Sequence, residues 1–167
     1  EVQLIQSTDY PWAGVIKFSL SPRHGQTFAL RLRIPGWAEN SPVPGNLYSF
    51  VDKQQIYTIK VNGQPVKANV IGGYAVIERR WAKGDCVELS LPMDVRRVRA
   101  NDNVQDDCGK LAFERGPIVY CLEGADQKDS TIFNKFILQK TAVSASYDKN
   151  LLGGVVVLSG AAKQVET

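Results

Sequence analysis

Residues 28–123 read as a succession of short β-strands with no helical period between them. In the clearest strand, residues 28–34, apolar side chains occupy every second position and alternate with alanine or arginine. Successive side chains of a strand point to opposite faces of a sheet, so this pattern places one face on a core and the other in water. Repeated along the chain, it predicts a β-sandwich or a β-barrel.

Turn residues separate these predicted strands at short spacing. Asn62-Gly63 is the strongest hairpin signal in the chain, because both central positions of a type I′ turn need a positive φ. Residues 72–73 mark a second turn, and residues 83–85 mark a tight turn whose two flanking strands we expect to pair. Residues 39–55 are rich in Pro, Ser, Asn and Gly and are predicted to be a long loop.

We therefore predict an all-β fold, a jelly-roll-like antiparallel β-sandwich. Residues 1–100 form the sandwich as an accessory domain, and the polar segment 101–109 is the best boundary. Residues 101–167 hold a linker and strands of a second β region, which either starts a second sandwich or continues the first domain. The weaker strands of this second region are residues 133–138, 142–147 and 155–158.

Composition limits the classes of partner. The 20 Lys and Arg residues against 17 Asp and Glu give a net charge of +3, which is too small to indicate nucleic-acid binding. No apolar run reaches the length of a transmembrane helix, so we expect no membrane partner. The chain begins at Glu1 without a signal peptide, and we expect a processed or engineered fragment whose compartment its own start leaves open.

The cysteines indicate neither a disulfide framework nor a zinc site. Cys86, Cys108 and Cys121 are odd in number, and no two have a C-x-x-C spacing. Cys121 lies in the apolar run IVYCL and is expected to be a small buried residue. A Cys86–Cys108 disulfide is the alternative.

No set of residues predicts a catalytic site. Glycoside hydrolysis needs two carboxylates a few ångströms apart, and the sequence does not pair any of the five acidic residues in or beside strands. Those residues are Glu78, Glu88, Asp94, Glu114 and Glu123. His24, the single histidine, lies in a turn, and nothing around it supplies the nucleophile, base and orienting group of a catalytic triad, so we expect an exposed turn residue. The acidic loop with Asp102, Asp106 and Asp107 is expected to be solvated, with a calcium site as the alternative.

Four aromatic residues are the binding candidates of the chain. Trp12, Trp37, Tyr48 and Trp81 could cover an interface or stack on sugar rings, because the C–H face of a sugar packs against an aromatic ring. The alternative for Trp37 and Trp81 is a place in the core at the ends of the sandwich.

A series of motifs, in order, carries a family resemblance over about the first three quarters of the chain. The motifs are TDYPWAG, RIPGW, VNGQPV, GYAVIERRWAKGD, LPMDVRRVRAN and RGPIVYCLE. They resemble the C-terminal region of glycoside hydrolase family 127, the bacterial β-L-arabinofuranosidase type. The resemblance implies an N-terminal (α/α)-barrel with a cysteine nucleophile at a zinc site and a glutamate acid/base. None of these residues falls in the matched motifs, so no catalytic role passes to the three cysteines here.

The resulting hypothesis is a non-catalytic β-sandwich, without a cofactor of its own, that supports the barrel of a parent glycoside hydrolase. Its expected partners are that barrel, a second copy in a homodimer and a carbohydrate. The rivals are a carbohydrate-binding module with an exposed aromatic row and an independent enzyme with paired carboxylates. The parent protein is either extracytoplasmic or cytoplasmic.

Overall fold

The computed structural model describes residues 1–52, 56–126, 132, 135–138 and 140–164. Regular structure in these residues consists of β-strands and three short 3₁₀ helices, Gly36–Glu39, Gln105–Asp107 and Gly124–Asp126. The strands in chain order are β1 (Val2–Thr8), β2 (Val15–Pro22), β3 (Gln26–Arg33), β4 (Tyr48–Phe50), β5 (Thr58–Val61), β6 (Gln64–Pro65), β7 (Asn69–Ile71), β8 (Tyr74–Trp81), β9 (Asp85–Ser90), β10 (Val95–Ala100), β11 (Ala112–Arg115), β12 (Ile118–Tyr120), β13 (Lys135–Phe136), β14 (Val143–Asp148), β15 (Val155–Gly160) and β16 (Lys163–Gln164).

Two antiparallel sheets pack face to face and form the first sandwich. One has the strand order β1-β2-β9-β5-β6 and the other the order β3-β8-β7. Their inner faces supply one hydrophobic core, in which Leu20, Val87 and Leu89 of the first sheet belong to the same cluster as Leu32 and Ile77 of the second. The predicted all-β, antiparallel, sandwich-like fold is confirmed.

Local patterns explain these strands. On β3, Leu30 and Leu32 are buried while Arg31 and Arg33 are exposed, as the alternation predicts. The Asn62-Gly63 hairpin is also confirmed: β5 pairs with β6, and Asn62 has φ 51°.

The turn at residues 83–85 does not form the hairpin that the sequence predicts. β8 pairs with β3 and β7, whereas β9 lies in the other sheet between β2 and β5. The chain therefore crosses from one sheet to the other at this turn. In this place between β2 and β5, Val87 and Leu89 of β9 lie in the hydrophobic core, so their burial stabilises the crossing.

A third sheet has the strand order β12-β11-β10-β4. Its edge strand β4 lies inside the segment 39–55 that was predicted to be loop, because pairing with β10 outweighs the Pro- and Gly-rich composition. One face points to the first sandwich, where Phe50 packs against the core. The other face carries Arg97, which donates a hydrogen bond to the Thr141 carbonyl beside the C-terminal hairpin.

The C-terminal strands form two small antiparallel pairs. β14 pairs with β15, as the predicted strands 142–147 and 155–158 anticipate, and β13 pairs with β16. In the predicted strand 133–138, residues 133 and 134 lie outside the described residues. β10 precedes the proposed boundary at residue 100 and pairs with β11 beyond it, and the division into two domains stays a prediction.

Candidate functional site

The four candidate aromatic residues do not lie together. Trp81 is fully buried, and its indole N–H donates a hydrogen bond to the Phe28 carbonyl at 3.0 Å. Trp37 is 7% exposed in the 3₁₀ helix Gly36–Glu39 and belongs to the same core. Neither ring offers a face to a ligand, so in this structure both are core residues of the sandwich, the alternative that the sequence left open.

Tyr48 is engaged within the protein. Its hydroxyl donates to the Asp107 carboxylate at 2.9 Å, which ties β4 to the 3₁₀ helix Gln105–Asp107. This hydrogen bond and the carboxylate charge raise the pKa of Tyr48 above its ordinary value. Asp107 is one of the three aspartates considered for calcium, and the described part of the chain holds no cluster of three His, Cys, Asp or Glu side chains that could bind a metal ion.

Trp12 lies in a loop that is held at both ends. Its backbone N–H and that of Ala13 donate to the Asp9 carbonyl at 2.9 and 3.1 Å, which closes a tight turn. Its carbonyl accepts a hydrogen bond from Nη1 of Arg115 on β11 at 3.1 Å. Gly14 ends the loop against the Leu91 carbonyl oxygen, a position where a Cβ would overlap that oxygen.

This loop forms one wall of a cleft of about 580 Å³, and the β14–β15 hairpin forms the other. The lining residues are Asp9, Tyr10, Trp12, Ala13, Arg115, Ala145, Ser146, Tyr147 and Val156. Two of the tyrosines are open to solvent, Tyr10 at 38% and Tyr147 at 60%. The volume lies within the roughly 300–1,000 Å³ typical of small-molecule clefts. The cleft is the candidate functional site of the chain.

Of the residues that line the cleft, sequence patterns single out Trp12 but not Arg115 or Tyr147. Tyr147 follows Trp12 by more than a hundred residues, and no local motif joins them. Arg115 sits in the RGPIVYCLE motif, but its side chain reaches the loop only because β11 lies across from it in the fold. Only the tertiary structure brings the three side chains to one cleft.

A buried ion pair lies on the opposite face of the same sheet. Arg96 of β10 and Glu114 of β11 face each other in register, with Nη2 and Oε1 3.7 Å apart and side chains 2% and 7% exposed. Nη2 of Arg96 also donates to the Trp37 carbonyl at 2.7 Å, and its guanidinium lies 3.3 Å from the centre of the Phe50 ring. The pair thus fills the contact between the third sheet and the first sandwich.

Burial decides the protonation of this pair. Loss of water raises the pKa of Glu114 to about 7, although the charge of Arg96 opposes the shift. Burial also lowers the pKa of Arg96 to about 10, against the favourable charges of Glu114 and Asp94. Arg96 therefore stays cationic at neutral pH, and Glu114 is divided between its two forms.

The other predicted carboxylates are dispersed. Glu78, Asp94 and Glu123 are exposed. Glu88 lies between Lys17 and Lys60 at 3.9 and 3.4 Å. Cross-strand pairs of this kind are typical of a solvated sheet face.

His24 and the three cysteines do not line the cleft. His24 is exposed in the turn between β2 and β3. The three cysteines are free, so the alternative Cys86–Cys108 disulfide is not formed. The prediction that Cys121 is buried is wrong, because Cys121 lies beyond the end of β12, exposed, with its thiol 3.8 Å from Glu123.

Comparisons with known proteins give one consistent family. Residues 1–93 match the family model described as Beta-L-arabinofuranosidase, GH127 middle domain, and residues 95–158 match the glycoside hydrolase family 127 C-terminal domain. A non-reducing end beta-L-arabinofuranosidase of Bifidobacterium longum subsp. longum is 32% identical over 157 residues, which are 90% of this chain and 21% of that protein.

Two solved structures show the same similarity in three dimensions. A GH127 beta-arabinofuranosidase is 39% identical with a TM-score of 0.89, covering 98% of this chain and 26% of that one. A GH127 beta-L-arabinofuranosidase from Geobacillus stearothermophilus T6 is 37% identical with a TM-score of 0.83, covering 99% and 24%. The chain thus spans about a quarter or less of the length of these relatives. In the described residues no helix has the length and apolar character needed to cross a bilayer.

Proposed function

Since the chain belongs to glycoside hydrolase family 127, we propose that it is the β-sandwich region of a β-L-arabinofuranosidase-like enzyme and acts as its structural support. In this role the chain packs against the helical barrel that the family resemblance implies and holds that barrel in its active shape. Hydrolysis itself belongs to the barrel. The chain binds no zinc ion for this reaction.

The position of the acidic side chains carries this proposal. A glycosidase needs two carboxylates, about 5–5.5 Å apart in retaining enzymes and about 6.5–9.5 Å apart in inverting ones. Among the described residues that line the cleft, Asp9 is the one carboxylate. Glu114, the acid whose pKa is raised to about 7, is packed against Arg96 between the sheets and does not line that cleft. The geometry therefore supports a scaffold better than an independent hydrolase.

The fraction of the relatives that this chain covers adds support. The matching region spans 24% of the Geobacillus stearothermophilus relative, with a TM-score of 0.83, so about three quarters of that protein lie outside it and are available for a separate catalytic domain. The aromatic row of a binding module, in contrast, is not favoured, because Trp37 and Trp81 lie in the core.

A chimera tests the support role. The matching region of the Geobacillus stearothermophilus relative is replaced by this chain, and release of L-arabinose from an aryl β-L-arabinofuranoside is measured together with the thermal midpoint. We expect the chimera to keep activity within about tenfold of the relative, because the two β regions have the same fold. Deletion of the region should remove activity or solubility, because it exposes the barrel surface that the region covers.

A matched chimera that carries Trp81→Ala controls for the need of a folded sandwich. Loss of that core side chain costs about 3–5 kcal/mol, so this chimera should be less stable and less active. Release of L-arabinose by this chain alone, or full activity after deletion of the region, would contradict the proposal.

A further inference from the structure

We propose that the cleft between the loop of residues 9–13 and the β14–β15 hairpin is a saccharide-binding site. This goes beyond the support role, since it assigns a ligand to the chain itself and does not depend on the barrel. The aromatic side chains Trp12 and Tyr147 offer faces for a sugar ring, and Asp9 and Arg115 offer hydrogen bonds to its hydroxyl groups.

The mixture of groups in the cleft selects this class of ligand. A sugar has apolar C–H faces and a rim of hydroxyl groups that both donate and accept hydrogen bonds. An aromatic ring packs against the C–H faces. A carboxylate accepts hydrogen bonds from the hydroxyl groups, and a guanidinium donates hydrogen bonds to them. A purely apolar ligand would cover the charges of Asp9 and Arg115 without giving them hydrogen-bond partners, which disfavours its binding.

Arg115 is held in place beside the cleft and keeps N–H donors for such a ligand. Its Nη1 donates to the Trp12 carbonyl at 3.1 Å, and its guanidinium makes no second hydrogen bond to a residue that the structure describes. A guanidinium has five N–H donors, so four remain for a ligand or water. The bond that it makes also fixes the loop that carries Trp12, so the cation and the ring are placed together.

The hairpin wall is shaped by a glycine. Gly154, with φ 114°, lies beneath the hydroxyl of Tyr147, at a spot where any Cβ would overlap that oxygen. The absence of a side chain there lets the tyrosine lie along the hairpin. The residue nevertheless stays 60% exposed, so a sugar can pack against it without rearrangement of the backbone.

The three tryptophans make a sharp fluorescence test. Trp37 and Trp81 are buried in the core, so a ligand in the cleft can alter only the emission of Trp12. The chain is titrated with L-arabinose-containing di- to tetrasaccharides. We expect a saturable change in emission at millimolar or lower ligand, and we expect Trp12→Phe to abolish the change while calorimetry still detects binding.

Two tyrosine variants separate the cleft from the rest of the surface. Tyr147→Ala removes one wall and should raise the dissociation constant about tenfold, the scale of one aromatic contact. Tyr74→Ala changes a tyrosine on β8 that is 41% exposed outside the cleft, and it should leave affinity unchanged.

The opposing results are equally clear. An absence of heat and emission change with millimolar saccharide would overturn the proposal and leave the cleft as a contact for the remainder of the enzyme. Equal loss of affinity in the Tyr147 and Tyr74 variants would also overturn it, because the site would then lie elsewhere. Neither result bears on the chimera, so a failed saccharide site and a failed support role are distinguishable.

Discussion

The protonation of Glu114 should make the stability of this chain fall as the pH rises from about 4.5 to about 7. Its pKa is near 4.5 in the unfolded chain and about 7 in the fold, where burial next to Arg96 disfavours the charged form. Between these values the folded state holds a proton that the unfolded state has released, so raising the pH favours unfolding.

The size of the effect follows from the same two values. Each pH unit between them corresponds to about 1.4 kcal/mol, so the whole interval is worth about 3 kcal/mol. The conversion applies here because the side chain is only 7% exposed, which limits screening by solvent. Glu114→Gln keeps the shape of the neutral acid and cannot titrate, which makes it the reference.

The assay is urea unfolding of both proteins from pH 4.5 to pH 8.5. At the acidic end the two free energies of unfolding should be alike, because protonated glutamate and glutamine are both neutral. At the alkaline end the wild type should have lost about 3 kcal/mol relative to the variant. Other titrating groups are common to both proteins and cancel in the difference.

A difference of opposite slope would refute this reasoning. If the attraction between Arg96 and Glu114 outweighed burial, the pKa of Glu114 would lie below its ordinary value. The wild type would then gain stability over Glu114→Gln as the pH rises. A flat difference would show that water reaches the pair.

Three further predictions concern the core and its turns. Trp81→Phe keeps a ring but removes the N–H that donates to the Phe28 carbonyl at 3.0 Å, so we expect a loss of about 1–3 kcal/mol in urea unfolding, and an unchanged midpoint would contradict it. Gly14→Ala forces a Cβ against the Leu91 carbonyl oxygen and should lower the thermal midpoint by roughly 5 °C or more, whereas a neutral result would show that the loop can shift. Hydrogen bonds from a backbone N–H and a side-chain amide lower the pKa of Asp85, so its contribution is present at neutral pH and lost in acid. Asp85→Asn should therefore cost about 1 kcal/mol at pH 7 and progressively less as the pH falls below the ordinary range of an aspartate, measured by unfolding across that range.

Local alternation predicts the strands but not their partners. β3 can be read from sequence, because apolar side chains occupy every second position from Phe28 to Leu32, and the Gly72-Gly73 turn marks the start of β8. The placement of β9 in the opposite sheet cannot be read in the same way, since a turn of the same length serves a hairpin or a crossing equally well. β4 is harder still, because three residues are too short for a period and its pairing with β10 is long-range.

The same limit applies to the cleft and the ion pair. Arg96 of β10 and Glu114 of β11 both occupy inward-facing, buried positions of their strands, where the alternation would usually place an apolar residue. Charged residues at inward positions of two strands are a signal for a buried pair, but only the register of the two strands joins them. The exposure of Tyr147 carries no signal in sequence, because a lone tyrosine on a polar strand is ordinary.

The third sheet connects the two regions that the family models describe separately. The models meet between residues 93 and 95, immediately before β10. Across that point Arg96 donates to the Trp37 carbonyl at 2.7 Å, and Arg115 donates to the Trp12 carbonyl at 3.1 Å. Because Glu114 and Arg115 are neighbours on β11, their side chains point to opposite faces, one toward the sandwich core and one toward the cleft. Separation of the two regions would break both of these hydrogen bonds and the pairing of β4 with β10, and this loss opposes independent movement.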